Sequence, residues 1–431
     1  MSDVGPGAPP ARRRTLLLPM VVGSVLNPIN TSVIAVALVP IGVAFGAPAT
    51  ETAWLITALF LATTVGQPLA GRLVDTYGPR RLFLIGAGLT ATAGVVGMTA
   101  PNIWVLVFAR VILGLGTSAA YPASIAVLAD ESRRTGVPTA ASALTALAVA
   151  GQTVAVIGPT FGGLLVDHGG WQATLALNVP LGLACLVLGW VFLPRDTHSS
   201  ERVGRSLDMT GTALFAVTMV SLLLFVNAIE ASTVWLSVLA IAAGVAFVIR
   251  ELRAEDAFID LRVLSSSRPL VLVFIRAILG ATVTYGFVFG FTQWLESERA
   301  LSASVAGLVL LPSFASGLVA SVITGRSPQY EAKLRVAGVL QLIGCVILMF
   351  VAAETPLWVL IGISAFMGSR RACRTSACRA LCTFMLREQP SGRLPVSFEP
   401  SCTSEPSRHR PSVALRSRRA TEALVSGYSR R

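Results

Sequence analysis

The stretch GRLVDTYGPRRLF, Gly71 to Phe83, decides the fold. It is a short polar turn holding two glycines, one acid and three arginines, set between two apolar runs each long enough to cross a bilayer. Working outward, runs of about 17 to 25 residues with few or no charges recur along the chain, the length needed at about 1.5 Å per residue to cross about 30 Å of hydrocarbon. They centre on 15–45, 53–70, 82–99, 103–128, 138–166, 172–193, 209–228, 234–249, 270–294, 303–324, 336–353 and 357–368. An all-α integral membrane protein of about twelve spanning helices is expected, the first an uncleaved helix from Thr15 to about Phe45.

Composition supports the same reading. The 431 residues are 54% hydrophobic and 13% charged, with a mean hydropathy of +0.71. A water-soluble domain carries roughly twice that charge, so a water-facing surface cannot be built from this chain. The net charge of +12 suggests a nucleic-acid partner until it is located: from Ser369 to Arg431 there are 13 arginines and 4 acids, which places +9 in the tail. The remaining excess lies in short loops between apolar runs, where positive charge orients membrane proteins; no nucleic-acid partner is expected.

Loop charges also test the count of runs, because a missed or invented helix would scramble their alternation. With the N-terminus on the cytoplasmic side, the inner loops hold Arg72, Arg80 and Arg81, then Arg133 and Arg134, then Arg195, Arg202 and Arg205. Further on they hold Arg250, Arg253, Arg262 and Arg268, then Arg326, Lys333 and Arg335. Outer loops hold Glu51, Asp167, Glu230, Glu296, Glu298 and Glu354, with Arg299 the one basic exception. The alternation survives the whole length.

Six cysteines and three histidines show neither CxxC pairing nor metal-ligand spacing, so no metal and no cofactor are expected. A membrane-embedded enzyme would need clustered His or acids facing a cavity, and the apolar runs contain none. No phosphate-binding GxxxxGK[ST] loop is present, which speaks against ATP as the energy source.

The GxLxDxxGxR pattern carried by Gly71, Asp75, Gly78 and Arg80, placed after the second apolar run, resembles the signature loop of the major facilitator superfamily of secondary transporters. The resemblance implies a cytoplasmic latch built from Gly71, Asp75, Gly78, Arg80 and Arg81. On physical grounds, glycine permits tight geometry and close helix approach, while Asp75 can accept from arginines or face the positive end of a neighbouring helix. In FARVILGLGTSAAYP, Arg110 and Gly114 resemble the superfamily's second motif, whose arginine is implicated in proton coupling; a structural arginine bonding backbone carbonyls is the other reading. Gly158, Pro159, Gly162 and Gly163 resemble the antiporter motif of exporters. Small residues four apart let helices approach closely, and the proline can kink the helix.

The loop RELRAEDAFIDLRVL from Arg250 and the stretch LSASVAGLVLLP from Leu301 resemble the fourteen-helix drug:proton antiporter family, over about residues 15–368. That implies a cytoplasmic N-tail 1–14, a six-helix bundle 15–194, a cytoplasmic loop 195–208, an inserted helix pair 209–249, a loop 250–269 and an incomplete C-terminal bundle 270–368. The basic tail 369–431 has no apolar run able to span a bilayer. A lost coding frame near Ser369 and a genuine basic tail both account for it.

Where the drug exporters often carry an acid in the first helix, this chain has Asn30, which cannot exchange a proton near neutral pH. The apolar runs of the first half hold no other Asp or Glu. Candidates to line a central substrate cavity are Asn27, Asn30, Gln67, Tyr121, Gln152, Tyr285, Gln293 and Trp294, each equally open to an interhelical hydrogen-bond role. The expected function is proton-coupled efflux of amphipathic small molecules by alternating access, in a monomer of the plasma membrane. A non-transporting remnant and an uncoupled exporter of one metabolite are the alternatives.

Overall fold

The computed structural model describes residues 10–135, 141–194, 209–227, 231–253, 268–325 and 330–369. Hydrocarbon offers no partner for a backbone N–H or C=O, so an apolar chain of this kind must satisfy those groups within helices. The described residues do so. In order they form α1 (Pro10–Val33), α2 (Leu38–Phe45), α3 (Ala49–Tyr77), α4 (Pro79–Met98), α5 (Ile103–Thr135), α6 (Ala141–Ala176) and α7 (Asn178–Phe192). Next come α8 (Met209–Asn227), α9 (Val234–Arg253), α10 (Arg268–Gly286), α11 (Thr292–Ser297), α12 (Ala303–Gly325), α13 (Tyr330–Met349) and α14 (Leu357–Ser369).

Among the described residues, seven helical segments are long and apolar enough to cross a membrane, and five further apolar helices are shorter. The surface is apolar to match. Trp190, Val191, Trp235 and Ile241 stand exposed, which suits contact with lipid tails and not with water.

Three boundaries differ from the sequence expectation. The first run is not one helix to Phe45: α1 ends at Val33, a 3-10 turn occupies Ile34–Val36, and α2 resumes at Leu38. A run without charges carries no sign of such a break. The signature stretch is not a loop either, because α3 continues through Asp75 to Tyr77 and α4 starts at Pro79. The reversal falls on Gly78 alone, at φ 94° and ψ 148°, which a residue with a Cβ rarely adopts. Likewise Gly170, at φ 68°, is the whole turn between the fifth and sixth crossings.

In the first half, α5 packs on α3 and α4, α7 on α4, and α1 on α5, α6 and α7. Its core joins Met20, Leu26, Phe83, Val127, Leu147 and Cys185. Glycine permits the tightest crossing: a Cβ on Gly86 would lie 2.6 Å from the Gly116 carbonyl oxygen, and one on Gly116 would lie 2.8 Å from that of Gly86. A second core, of Phe287, Phe291, Leu295, Val309, Leu310, Leu360, Ile363 and Met367, includes Ala35 from the first half. The pair α8 and α9 packs together, with α8 also against α3. The two halves join where α12 lies on α6.

The calls on residues 1–9, 136–140, 195–208, 228–230, 254–267, 326–329 and 370–431, Glu230 and Arg326 among them, lie outside the described residues.

Candidate functional site

Helix α6 carries the GPxxGG motif, and its glycines serve two different neighbours. Gly158 and Gly162 face α1: a Cβ on Gly158 would fall on the Ser32 side chain, and one on Gly162 would lie 3.0 Å from the Cα of Val33. Gly163 faces α12 instead, where a Cβ would fall on the Ala303 carbonyl and 2.6 Å from the Cα of Ser304. The approach is reciprocal, since a Cβ on Gly307 would meet the Pro159 carbonyl oxygen at 2.5 Å. Two hydrogen bonds hold the seam: Thr160 Oγ1 donates to the Gly307 carbonyl at 3.1 Å, and the backbone N–H of Ser304 donates to Asp167 Oδ2 at 3.2 Å. Between α6 and α12 no side chain separates the backbones at Gly163 and Gly307, whereas on the α1 side Ser32 and Val36 fill the contact.

Arg110 is the largest fully buried side chain, 2% exposed, and its Nε and Nη1 have no hydrogen-bond partner among the described residues. Those two atoms bond no backbone carbonyl among the described residues. One turn along, Gly114 lets α5 onto α3, since its Cβ would lie 2.6 Å from that of Ala62 and 2.8 Å from the Leu59 carbonyl oxygen.

At the α3–α4 corner, Gly71 is buried inside α3, but a Cβ there would meet nothing within 4 Å. Among the described residues no neighbour approaches Gly71 closely enough to require a glycine. Asp75 is exposed on the last turn of α3, and both it and Arg81 have interaction partners. Arg80 reaches the end of α7. Its Nη2 donates to the Trp190 carbonyl at 2.7 Å, and the guanidinium lies 5.4 Å from the centre of the Trp190 ring. This arginine ties the first half to itself.

Asn30 is buried, and its Nδ2 donates to the Leu26 carbonyl at 2.8 Å and to Asn178 Oδ1 at 2.6 Å. Asn178 donates in turn to the Leu175 carbonyl at 3.1 Å. Asn30 is therefore a crosslink between α1 and α7 and not an open cavity group; Asn178 was missed in the sequence because the two lie far apart along it. An ionised aspartate here could donate nothing and would bury a charge, and a protonated one could donate to only one of the two acceptors. Asn30→Asp is accordingly expected to destabilise the protein by on the order of 2–4 kcal/mol. Thermal unfolding in detergent checks this, with Asn30→Ala as the milder reference.

The other cavity candidates divide. Asn27, Gln67, Tyr121 and Gln152 are half-buried on α1, α3, α5 and α6, and Gln293 is half-buried on α11. Tyr285 bridges the halves, with its ring edge-on to Phe60 of α3 at 5.5 Å and stacked on Phe289 at 6.1 Å. Trp294 stacks on Phe291 at 5.9 Å. These rings flank the π-helical turn Phe287–Phe291, a local widening of the kind often found at functional sites. Phe60 and Phe289 were not singled out in the sequence, since a phenylalanine in an apolar run carries no separate signal.

Glu296 corrects a further expectation. It was read as an outer-loop charge, but α11 continues to Ser297 and leaves it 9% exposed.

These features agree with the comparisons. The sequence model of the Major Facilitator Superfamily matches residues 20–394, and the chain belongs to that family. It is 33% identical over 318 residues to the MFS-type transporter YwoD of Bacillus subtilis, covering 73% of this chain and 70% of that protein. It is 30% identical over 316 residues to the tetracenomycin C resistance and export protein of Streptomyces glaucescens, covering 72% of this chain and 57% of that one. Multidrug resistance and efflux proteins of mycobacteria are also among the relatives. The fold resembles the partially occluded inward-open xylose transporter XylE of E. coli, with a TM-score of 0.54 and 15% identity, covering 88% of this chain and 85% of that one. The chain is thus a multi-pass membrane transporter of small molecules, not an enzyme.

Proposed function

We propose that the chain is a proton-coupled exporter of amphipathic, drug-like organic molecules, working by alternating access in the plasma membrane with its N-terminus cytoplasmic. The observation that carries this reading is the two-sided packing of α6. One face of GPxxGG lies on α1 of its own half, against the Ser32 side chain and the Cα of Val33, and the other on α12 of the opposite half, backbone against backbone. Such a seam is what two bundles that rock against each other require. The tetracenomycin C relative is an export protein by name, which supports the outward direction.

The aromatic wall of Phe60, Tyr285, Phe289 and Trp294 supports the substrate class. Flat rings contribute contact area without demanding a fixed hydrogen-bond pattern, and so suit apolar or weakly cationic molecules. Twelve crossings, in two bundles and an inserted pair, are proposed on the same footing.

Asn30 favours a second reading, an uncoupled exporter, because its amide is committed to two acceptors and cannot exchange a proton. Extrusion of ethidium from energised cells tests the choice. Coupled export is expected to stop when a protonophore collapses the proton gradient, whereas extrusion that continues unchanged would support the uncoupled reading.

A further inference from the structure

Proton coupling needs a titratable group, and the spanning runs of the first half supply no acid. Further along, two acids are buried among the described residues: Glu251 near the end of α9 and, in the second half, Glu296. Glu296 stands on the penultimate residue of α11, 9% exposed, and its Oε1 has no hydrogen-bond partner among the described residues.

Its surroundings make it poorly suited to carrying a charge in this state. Helix α11 packs on α2, on the 3-10 turn Ile34–Val36 and on α12, and none of those elements contains a titratable residue. Asp167 of α6 is held at this end, its Oδ2 accepting from the backbone N–H of Ser304 at the start of α12. The other ionisable groups at this end among the described residues are Glu51, His168, Glu298, Arg299 and Glu354. Of these the cation Arg299 is engaged elsewhere, its Nη1 donating to the carbonyls of Ala353 and Thr355. A carboxylate closed into such a place, with one oxygen unpaired, is costly unless it carries a proton or opens to water.

We propose that Glu296 is a proton-binding site that governs closure of the end of the bundle where α6 meets α12. The proposal rests on the exporter reading above and assigns to it a pH-sensitive gate, since a proton taken from and returned to the same side governs opening without itself driving transport. When that end opens, Glu296 meets water and ionises. On closing, its carboxylate takes one proton from the water of that side, forming one O–H bond, and is buried as a neutral acid. Opening returns the proton to the same water. Closure is therefore favoured at low pH on that side, and opening follows as pH rises.

The test uses the full chain with its native cysteines changed to serine and spin labels at Pro101→Cys and Ala352→Cys. Both sites are exposed, one in each half at this end. Pulsed electron resonance in lipid nanodiscs is expected to give a short distance at pH 5.5 and a longer one at pH 8.5, with a one-proton transition. Glu296→Gln is expected to stay short at both pH values, and Glu296→Asp to keep a transition. A Glu296→Gln protein that follows the wild-type curve would overturn the assignment, as would a wild type that does not move.

Should Glu296→Gln fail to fold, the wild type can be treated with dicyclohexylcarbodiimide, which modifies protonated buried carboxyls. Mass spectrometry is expected to find the adduct on Glu296 at pH 6 and not at pH 9, and absence at both would overturn the proposal. Neither readout depends on transport. Ethidium export with an unmoving wild-type gate would remove the Glu296 site and leave the exporter standing, while a moving gate without export would do the reverse.

Discussion

A Gly163→Val protein is expected to lose at least nine-tenths of its ethidium extrusion while still reaching the membrane. A side chain at this position would enter the Ala303 carbonyl and the Cα of Ser304, and backbone atoms cannot rotate away as a flexible side-chain tip can. Overpacking of this kind costs about 1–3 kcal/mol, and here it falls on the closed arrangement of α6 against α12. A bias of about 1.4 kcal/mol against one of two states already changes their ratio tenfold. The control lies in the signature stretch itself. Gly71→Ala adds a Cβ that meets nothing within 4 Å, so extrusion and membrane level are expected to stay near wild type. Equal activity of the two variants would show that the seam is not a moving surface.

Arg110→Met is expected to abolish transport without lowering stability. Holding a guanidinium within the bilayer costs about 3 kcal/mol or more, and two of this arginine's nitrogens gain no hydrogen bond in return in this state. Methionine fills much of the same space without that cost, so the unfolding temperature is expected to match or exceed that of the wild type. A residue kept despite such a cost points to work in another state of the cycle. Loss of transport with stability preserved supports that role. A variant that transports normally, or one that is merely unstable, would make Arg110 a packing residue.

The family was legible because it depends on local patterns. A Gly-Pro turn between two long apolar runs, a charged residue inside the fourth run, and three glycines with a proline in the fifth can each be read within a few positions. The motif glycines of α5 and α6 meet close neighbours, whereas among the described residues none approaches Gly71 closely enough to require a glycine. What was not legible depends on where chain ends and distant residues fall. The break at Ile34–Val36 lies in an uncharged run, where apolar character alone cannot separate a 3-10 turn from an α-helix. Helix α3 runs on through polar residues because its backbone hydrogen bonds continue to Gly78, whose amide still bonds the Val74 carbonyl at 3.0 Å. Asn30 looked like a substrate or coupling position until its contact with Asn178 was seen. Glu296 looked like a solvated loop acid because the apolar run stops just short of it, whereas α2 and α12 pack around the last turn of its helix.

The alternating-access account is tested most directly with the purified chain in liposomes, oriented by sorting and loaded at acid pH inside against neutral pH outside. With the cytoplasmic face outward, ethidium added outside is expected to accumulate in the lumen above its external concentration as protons leave, and the accumulation is expected to collapse with a protonophore or with Arg110→Met. Uptake no faster than in protein-free liposomes, from correctly folded protein, would contradict the account.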